Sequence, residues 1–199
     1  MTEASLQSNQ EQISKMARSI KFKIENYTAL ANFDSEMDLG VIFSNIKNSN
    51  VRTTNTCVQF DIFNASTQVK IYQSGACLVI GCQSLQQVEQ SFKIISKLMR
   101  KIQQPHILKQ YSIYQTLASG FFPRPIYLEL LFKVLQNSHY DPEIFPGLMY
   151  RNQEKDLPFH LTIMGNGSFV IGGLAGEEEI VKAITSLLPD VQRCYCEAK

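Results

Sequence analysis

Hydrophobic and polar residues alternate with period two over CVQFDIF (57–63), QVKIY (68–72) and ACLVIGC (76–82). That period predicts three strands separated by polar turns. Val58, Phe60, Ile62, Val69 and Ile71 then share one face, and Cys57, Gln59, Asp61, Lys70 and Tyr72 the other. Downstream the period changes. Val88, Phe92, Ile95 and Leu98 recur at the spacing of one helical face, which predicts an amphipathic helix over 84–102. Upstream, residues 21–31 read as extended and 37–47 as helical. Beyond residue 108 the same succession returns, with strands near 111–119, 148–153, 158–164 and 168–173 and helices near 125–136 and 176–188.

The return is a repeat of sequence as well as of pattern. Residues 71–98, IYQSGACLVIGCQSLQQVEQSFKIISKL, resemble residues 163–188, IMGNGSFVIGGLAGEEEIVKAITSLL. Gly75 and Gly81 reappear as Gly167 and Gly173, each 92 positions later, and Ile71, Val88 and Ile95 match Ile163, Ile180 and Leu187. Nearer the start, an offset of 89 pairs Phe33 with Phe122, Met37 with Ile126 and Leu39 with Leu128. A period of about 90 residues is too long for a solenoid unit and suits a duplicated half-domain. The expected organisation is a disordered or loosely helical polar tail (1–19), a first repeat (20–108) and a second (109–199), joined in one domain. The fold class is α+β, with the helices on one side of a curved antiparallel sheet and the other side open for binding.

Composition narrows the functions. Hydrophobic residues make up 44% of the 199, and no apolar run approaches the ~18 residues of a membrane span. The first residues lack the apolar stretch of a signal peptide. Residues 1–108 hold 11 Lys/Arg and 8 Asp/Glu, and residues 109–199 hold 8 and 10, so the halves differ in sign but neither is strongly basic. Strong nonspecific nucleic-acid binding is not expected from such a balance. Five cysteines (57, 77, 82, 194, 196) form no C-x-x-C pair, which fits reduced thiols in a cytosolic or nuclear protein. Cys194-Tyr195-Cys196 supplies only two metal ligands, close to an end expected to fray. The three histidines (106, 139, 160) adjoin no nucleophile motif, and no phosphate-binding Gly loop is present. No catalytic residue, metal or cofactor is expected.

The most informative stretch is YDPEIFPGLMYR, residues 140–151. An acidic, aromatic loop leads through Pro146-Gly147, a tight-turn pair, into a strand. Taken alone it is a hairpin with an exposed phenylalanine. Together with the P-I-x-L-E segment at Pro125, Ile126, Leu128 and Glu129, the Ser74-Gly75 pair and the duplication, it resembles the C-terminal core of the TATA-box-binding protein family over roughly residues 20–192.

The resemblance implies a saddle whose concave sheet opens the minor groove of promoter DNA, with paired phenylalanines wedged between base steps at each end. Phe145 is retained as one wedge and its partner falls on Met164. In the first copy one wedge becomes Tyr72, and the other falls on Asn55 or Thr56. Neither replaces the roughly 1.5–3 kcal/mol that burial of a phenylalanine provides. The two central asparagines become Asn26, able to donate to A·T acceptors, and Gln115, with a longer reach. The apolar floor maps to Thr28, Leu117, Leu78 and Val170, and the groove threonines to Ile80 and Gly172. Phosphate contacts are thinned: lysines fall on Ala76 and Ser168 and an arginine on Asp61, leaving Arg151, so the salt dependence should flatten.

The resemblance also implies protein partners. Asp141, Glu143 and Ile144 match the acidic stirrup that binds transcription factor IIB. Lys93, Lys97, Arg100 and Lys101 lie on one face of the first long helix. In the family that region meets factor IIA, negative cofactor two and remodellers, with TATA-binding-protein-associated factors as further partners. The expectation is a nuclear, non-catalytic initiation factor that bends DNA mainly at its Phe145–Met164 end and recruits factor IIB and polymerase. The alternative is an interaction module of the same fold that binds TATA weakly or not at all.

Overall fold

The computed structural model describes residues 12–13, 15–47, 51–63 and 66–196. Among the described residues ten strands, β1 (Phe22–Asn32), β2 (Arg52–Thr53), β3 (Cys57–Ile62), β4 (Thr67–Tyr72), β5 (Ala76–Cys82), β6 (Ser112–Phe121), β7 (Ser138–His139), β8 (Gly147–Asn152), β9 (Phe159–Met164) and β10 (Ser168–Leu174), run in the order β2-β3-β4-β5-β1-β6-β10-β9-β8-β7. Besides helical residues at 12–13 and 15–19, the described residues include the helices α1 (Leu39–Asn45), α2 (Leu85–Lys101), α3 (Leu128–Val134) and α4 (Glu177–Arg193). The α+β class and the antiparallel meanders agree with the sequence pattern. No helix is long and apolar enough to cross a membrane among the described residues.

Two compact units divide the chain. The first is Asn26–Thr116, and the second joins Met1–Glu25 to Leu117–Lys199. In the first, Val58, Phe60, Val69, Ile71, Cys77 and Val79 pack under Val88, Phe92, Ile95 and Met99 of α2. The intervening Gln59, Asp61, Lys70, Tyr72, Leu78 and Ile80 are only partly buried and lie outside that core. In the second, Leu148, Leu161, Ile163, Phe169 and Ile171 pack under Ile180, Ile184, Leu187 and Val191 of α4. The predicted alternation therefore holds, and each unit keeps a sheet face that contributes nothing to its core.

The repeated glycines mark a backbone requirement. Gly75 and Gly167 have φ of +87° and +89°, and each donates its N–H back across a tight turn, to Tyr72 and Met164. A Cβ on Gly75 would stand 2.5 Å from the Ser35 carbonyl oxygen, and one on Gly167 would stand 2.7 Å from that of Arg124. Only glycine satisfies both the angle and the space.

Element ends depart from expectation for identifiable reasons. Helix α1 starts at Leu39 because Asp38 accepts the Val41 N–H at 3.0 Å as its N-cap. Helix α3 starts three residues after Pro125 because Ile126 is extended, bridged to Tyr195 and donating to Gly165 O at 2.9 Å. Helix α4 runs through Pro189 to Arg193, since Leu187, Leu188, Val191 and Cys194 are buried beneath it. The chain end does not fray at Cys194: Tyr127 donates to its carbonyl and Cys196 donates to Pro125 O, both at 2.9 Å. Of the N-terminal stretch expected to be disordered or loosely helical, residues 12–13 and 15–19 are helical, with Ala17 buried in the second core; residues 1–11 and 14 lie outside the described residues. The two-residue strands β2 and β7 are too short to show a period.

Candidate nucleic-acid interface

In the second unit, a tight loop carries the YDPEIF segment. The Asp141 carbonyl accepts from Ile144 and Phe145 N–H at 3.1 and 2.9 Å, and its Oδ1 accepts from Glu143 N–H at 3.1 Å. The turn thus lies at 141–145 rather than at Pro146-Gly147. Gly147 is the first residue of β8, paired with Met164, and its φ is not positive. Its lack of a side chain has another cause: a Cβ there would meet Phe145 Cε1 at 2.6 Å and Met164 Sδ at 2.9 Å. Phe145 and Met164 are brought together over this glycine, both half-buried.

The remaining second-unit candidates spread from that pair. On β9, Met164, Thr162 and His160 alternate with the core residues Ile163 and Leu161. Thr162 pairs with both Met149 of β8 and Val170 of β10, and Arg151 pairs with His160. Val170 and Leu117 are exposed at 42% and 38%, so an apolar floor is available to a ligand. Met149, 44% exposed, Thr162 and His160 escaped the sequence reading, although the alternation around Met164 places Thr162 and His160 on its face and that around Arg151 places Met149.

In the first unit the equivalent end is open. Tyr72 pairs with Cys57 as Met164 pairs with Gly147, and Phe145 stands two residues before Gly147. The position two residues before Cys57 is Asn55, which selects Asn55 over Thr56 as the counterpart of Phe145. Thr56, Tyr72, Gln73, Ser74 and Glu36 line a cavity of about 480 Å³ there. Farther in, Thr28 pairs with Ile80, and Leu78 with both Leu30 and Lys70. Thr28 is only 5% exposed, so little of it remains for a ligand. Asp61, where the resemblance places an arginine, pairs with Gln68. Asn26 is half-buried and Gln115 exposed; neither joins a core. Lys70, which the alternation already puts on the open face, is a cation to which the resemblance gave no role in the site.

The predicted protein-contact residues are exposed or partly so. Glu143 is exposed and Ile144 is 82% exposed, while Asp141 is held by its own loop. Helix α2 is capped by Ser84, which accepts the Gln87 N–H at 3.1 Å, and its last turn carries Arg100 and Lys101 beside the negative helix end. Lys93, Lys97 and Arg100 line a hollow of about 230 Å³ with Ser96 and His106, and Lys93 also pairs with Glu89 at 2.6 Å. Both partners of that pair are largely exposed, so it contributes little to stability.

The three buried thiols are poor nucleophiles. Burial pushes Cys77 up to about 12 and raises Cys82 and Cys194, keeping all three protonated at neutral pH. No cluster of three His, Cys, Asp or Glu with metal-binding geometry occurs among the described residues.

A family model described as transcription factor TFIID, or TATA-binding protein, matches residues 21–102 and 110–194. A TATA-box-binding protein of Arabidopsis thaliana is 28% identical over 95% of both chains. That of Methanothermobacter thermautotrophicus is 27% identical over 80% of this chain and 88% of its own. The solved structure of Methanococcus jannaschii TBP covers 87% of this chain and 99% of its own, with a TM-score of 0.73 at 22% identity.

Proposed function

The chain belongs to the TATA-binding protein family of general transcription initiation factors, and on that premise we propose that its helix-free sheet faces bind duplex promoter DNA in the minor groove. The carrying observation is the convergence of Phe145 and Met164 over Gly147, two apolar side chains on a sheet face that packs on no core. Apolar wedges of this kind unstack a base step and kink the duplex. The cost of a few kcal/mol is offset by the larger protein surface that a bent duplex can wrap. Asn26, Gln115, Leu117, Leu78, Ile80 and Val170 line the groove contact, to which the nearly buried Thr28 adds little, Tyr72 gives a weaker wedge, and Arg151 meets phosphate. The acidic edge at Asp141, Glu143 and Ile144 recruits a factor IIB-like protein. Lys93, Lys97, Arg100 and Lys101 on α2 meet a factor IIA-like one. The site of action is the nucleus.

The test is DNA affinity and bending over a salt series. A shallow salt slope with retained bending supports the proposal. No binding to bendable A·T-rich duplexes, with or without a factor IIB-like protein, overturns it. A second reading has its own observation: the cavity that Tyr72 lines with Thr56, Gln73, Ser74 and Glu36, at the end where the resemblance implies the loss of an aromatic wedge. In that reading the protein works through its partner surfaces and competes for transcription factors, and partner binding without any DNA shift supports it.

A further inference from the structure

The two-residue alternation of β1 slips at one place. Phe22 and Ile24 pack on the second-unit core, whereas Tyr27, Ala29 and Ala31 pack on the first. Even and odd positions exchange roles between them, leaving Glu25 and Asn26, adjacent in the chain, outside both cores. Glu25 is held in place. Its Oε1 accepts from the Ser119 hydroxyl at 2.6 Å and its Oε2 from the Lys23 ammonium at 3.1 Å. Ser119 follows the fully buried Ala118 and stands two residues from the exposed Leu117. The hydroxyl and the carboxylate it holds therefore lie on the face away from the second-unit core. The Ser119 hydrogen bond, with help from Lys23, holds the carboxyl below the usual carboxylate range, so it is ionised at neutral pH.

An ionised carboxylate only accepts hydrogen bonds. In the minor groove an A·T pair likewise offers only acceptors, adenine N3 and thymine O2, and the guanine 2-amino group is the single donor among the four bases. Resting on the groove reading above, we propose that Glu25 is a specificity-determining residue that favours a guanine 2-amino group at the step it faces. Ser119 fixes its orientation. Lys23, whose side chain is 78% exposed, can turn toward a phosphate at little cost, because an exposed ion pair is weak.

The test uses duplexes that differ at one base pair, moved stepwise through the site. Guanine·cytosine is compared with inosine·cytosine, which lacks only the 2-amino group, and 2,6-diaminopurine·thymine with adenine·thymine. At one step the amine-bearing duplex of each pair should bind more tightly, on the order of tenfold. Glu25→Gln, whose amide can donate to N3 and O2, should remove or invert the preference, and Ser119→Ala should weaken it. Equal binding of guanine and inosine duplexes at every step overturns the proposal, as does a preference that survives Glu25→Gln. Failure of every duplex to bind overturns the groove reading, and this inference with it.

Discussion

Phe145 and Met164 close over Gly147 so tightly that a Cβ there would lie 2.6 Å from the ring and 2.9 Å from the sulfur. Gly147→Ala should therefore separate the two side chains and cost about 1–3 kcal/mol through overpacking. Thermal melting should fall by about 2–4 °C per kcal/mol. DNA bending, followed by energy transfer between end labels, should decline while the fold persists. Unchanged melting and bending would show that the approach is easily relaxed.

The two ends should respond unequally to truncation. Phe145→Ala removes half of the Phe145–Met164 pair, whereas Tyr72→Ala removes a ring beside a cavity. DNA affinity and bend angle should fall more for Phe145→Ala. Equal losses, or a larger loss at Tyr72, would contradict the assignment of the principal kink to the second unit.

Glu143 is exposed, and it is its backbone N–H, not its side chain, that donates to Asp141 Oδ1. Glu143→Arg leaves that bond intact and reverses the charge of the edge. Recruitment of a factor IIB-like protein to a preformed DNA complex should be lost, with binary DNA affinity nearly unchanged. A collapse of binary binding would mean that this edge is not a separable protein surface.

Glu25 should titrate below the ordinary carboxylate range. Its folded-state pKa is lowered, first by Ser119 and then by Lys23, so its favourable contribution is present above the ordinary carboxylate range. That contribution is lost as pH falls through the lowered folded value. Carbon NMR of the side-chain carboxyl should record the lowered midpoint, and Ser119→Ala should move it upward. A midpoint unchanged by that substitution would assign the shift to Lys23 alone.

The strands and long helices were legible because their cores are built from single periods: Val58, Phe60, Val69 and Ile71 at two, Val88, Phe92 and Ile95 at three to four. The glycine repeat was legible for the same kind of reason. A positive φ in each copy tolerates one residue type, so Gly75 and Gly167 recur at a fixed offset. Short elements were not legible, because β2 and β7 span two residues and show no period. Ends decided by distant contacts were missed as well, including Ile126 held by Tyr195 and α4 carried past Pro189 by burial.

By itself the sequence determined the duplication, the α+β class, the alternating faces and the motif of residues 140–151, all of which depend on residue type at short or regular spacing. Only the tertiary structure decided that Gly147 lies where Phe145 and Met164 crowd the space for a side chain rather than at a turn, and that by strand register Asn55 rather than Thr56 is the counterpart of Phe145. It also decided that Thr28 is nearly buried, and that Ser119, 94 positions away, holds Glu25 on a face outside both cores. These facts depend on register and on approach between segments remote in the chain, and neither leaves a mark at any local period.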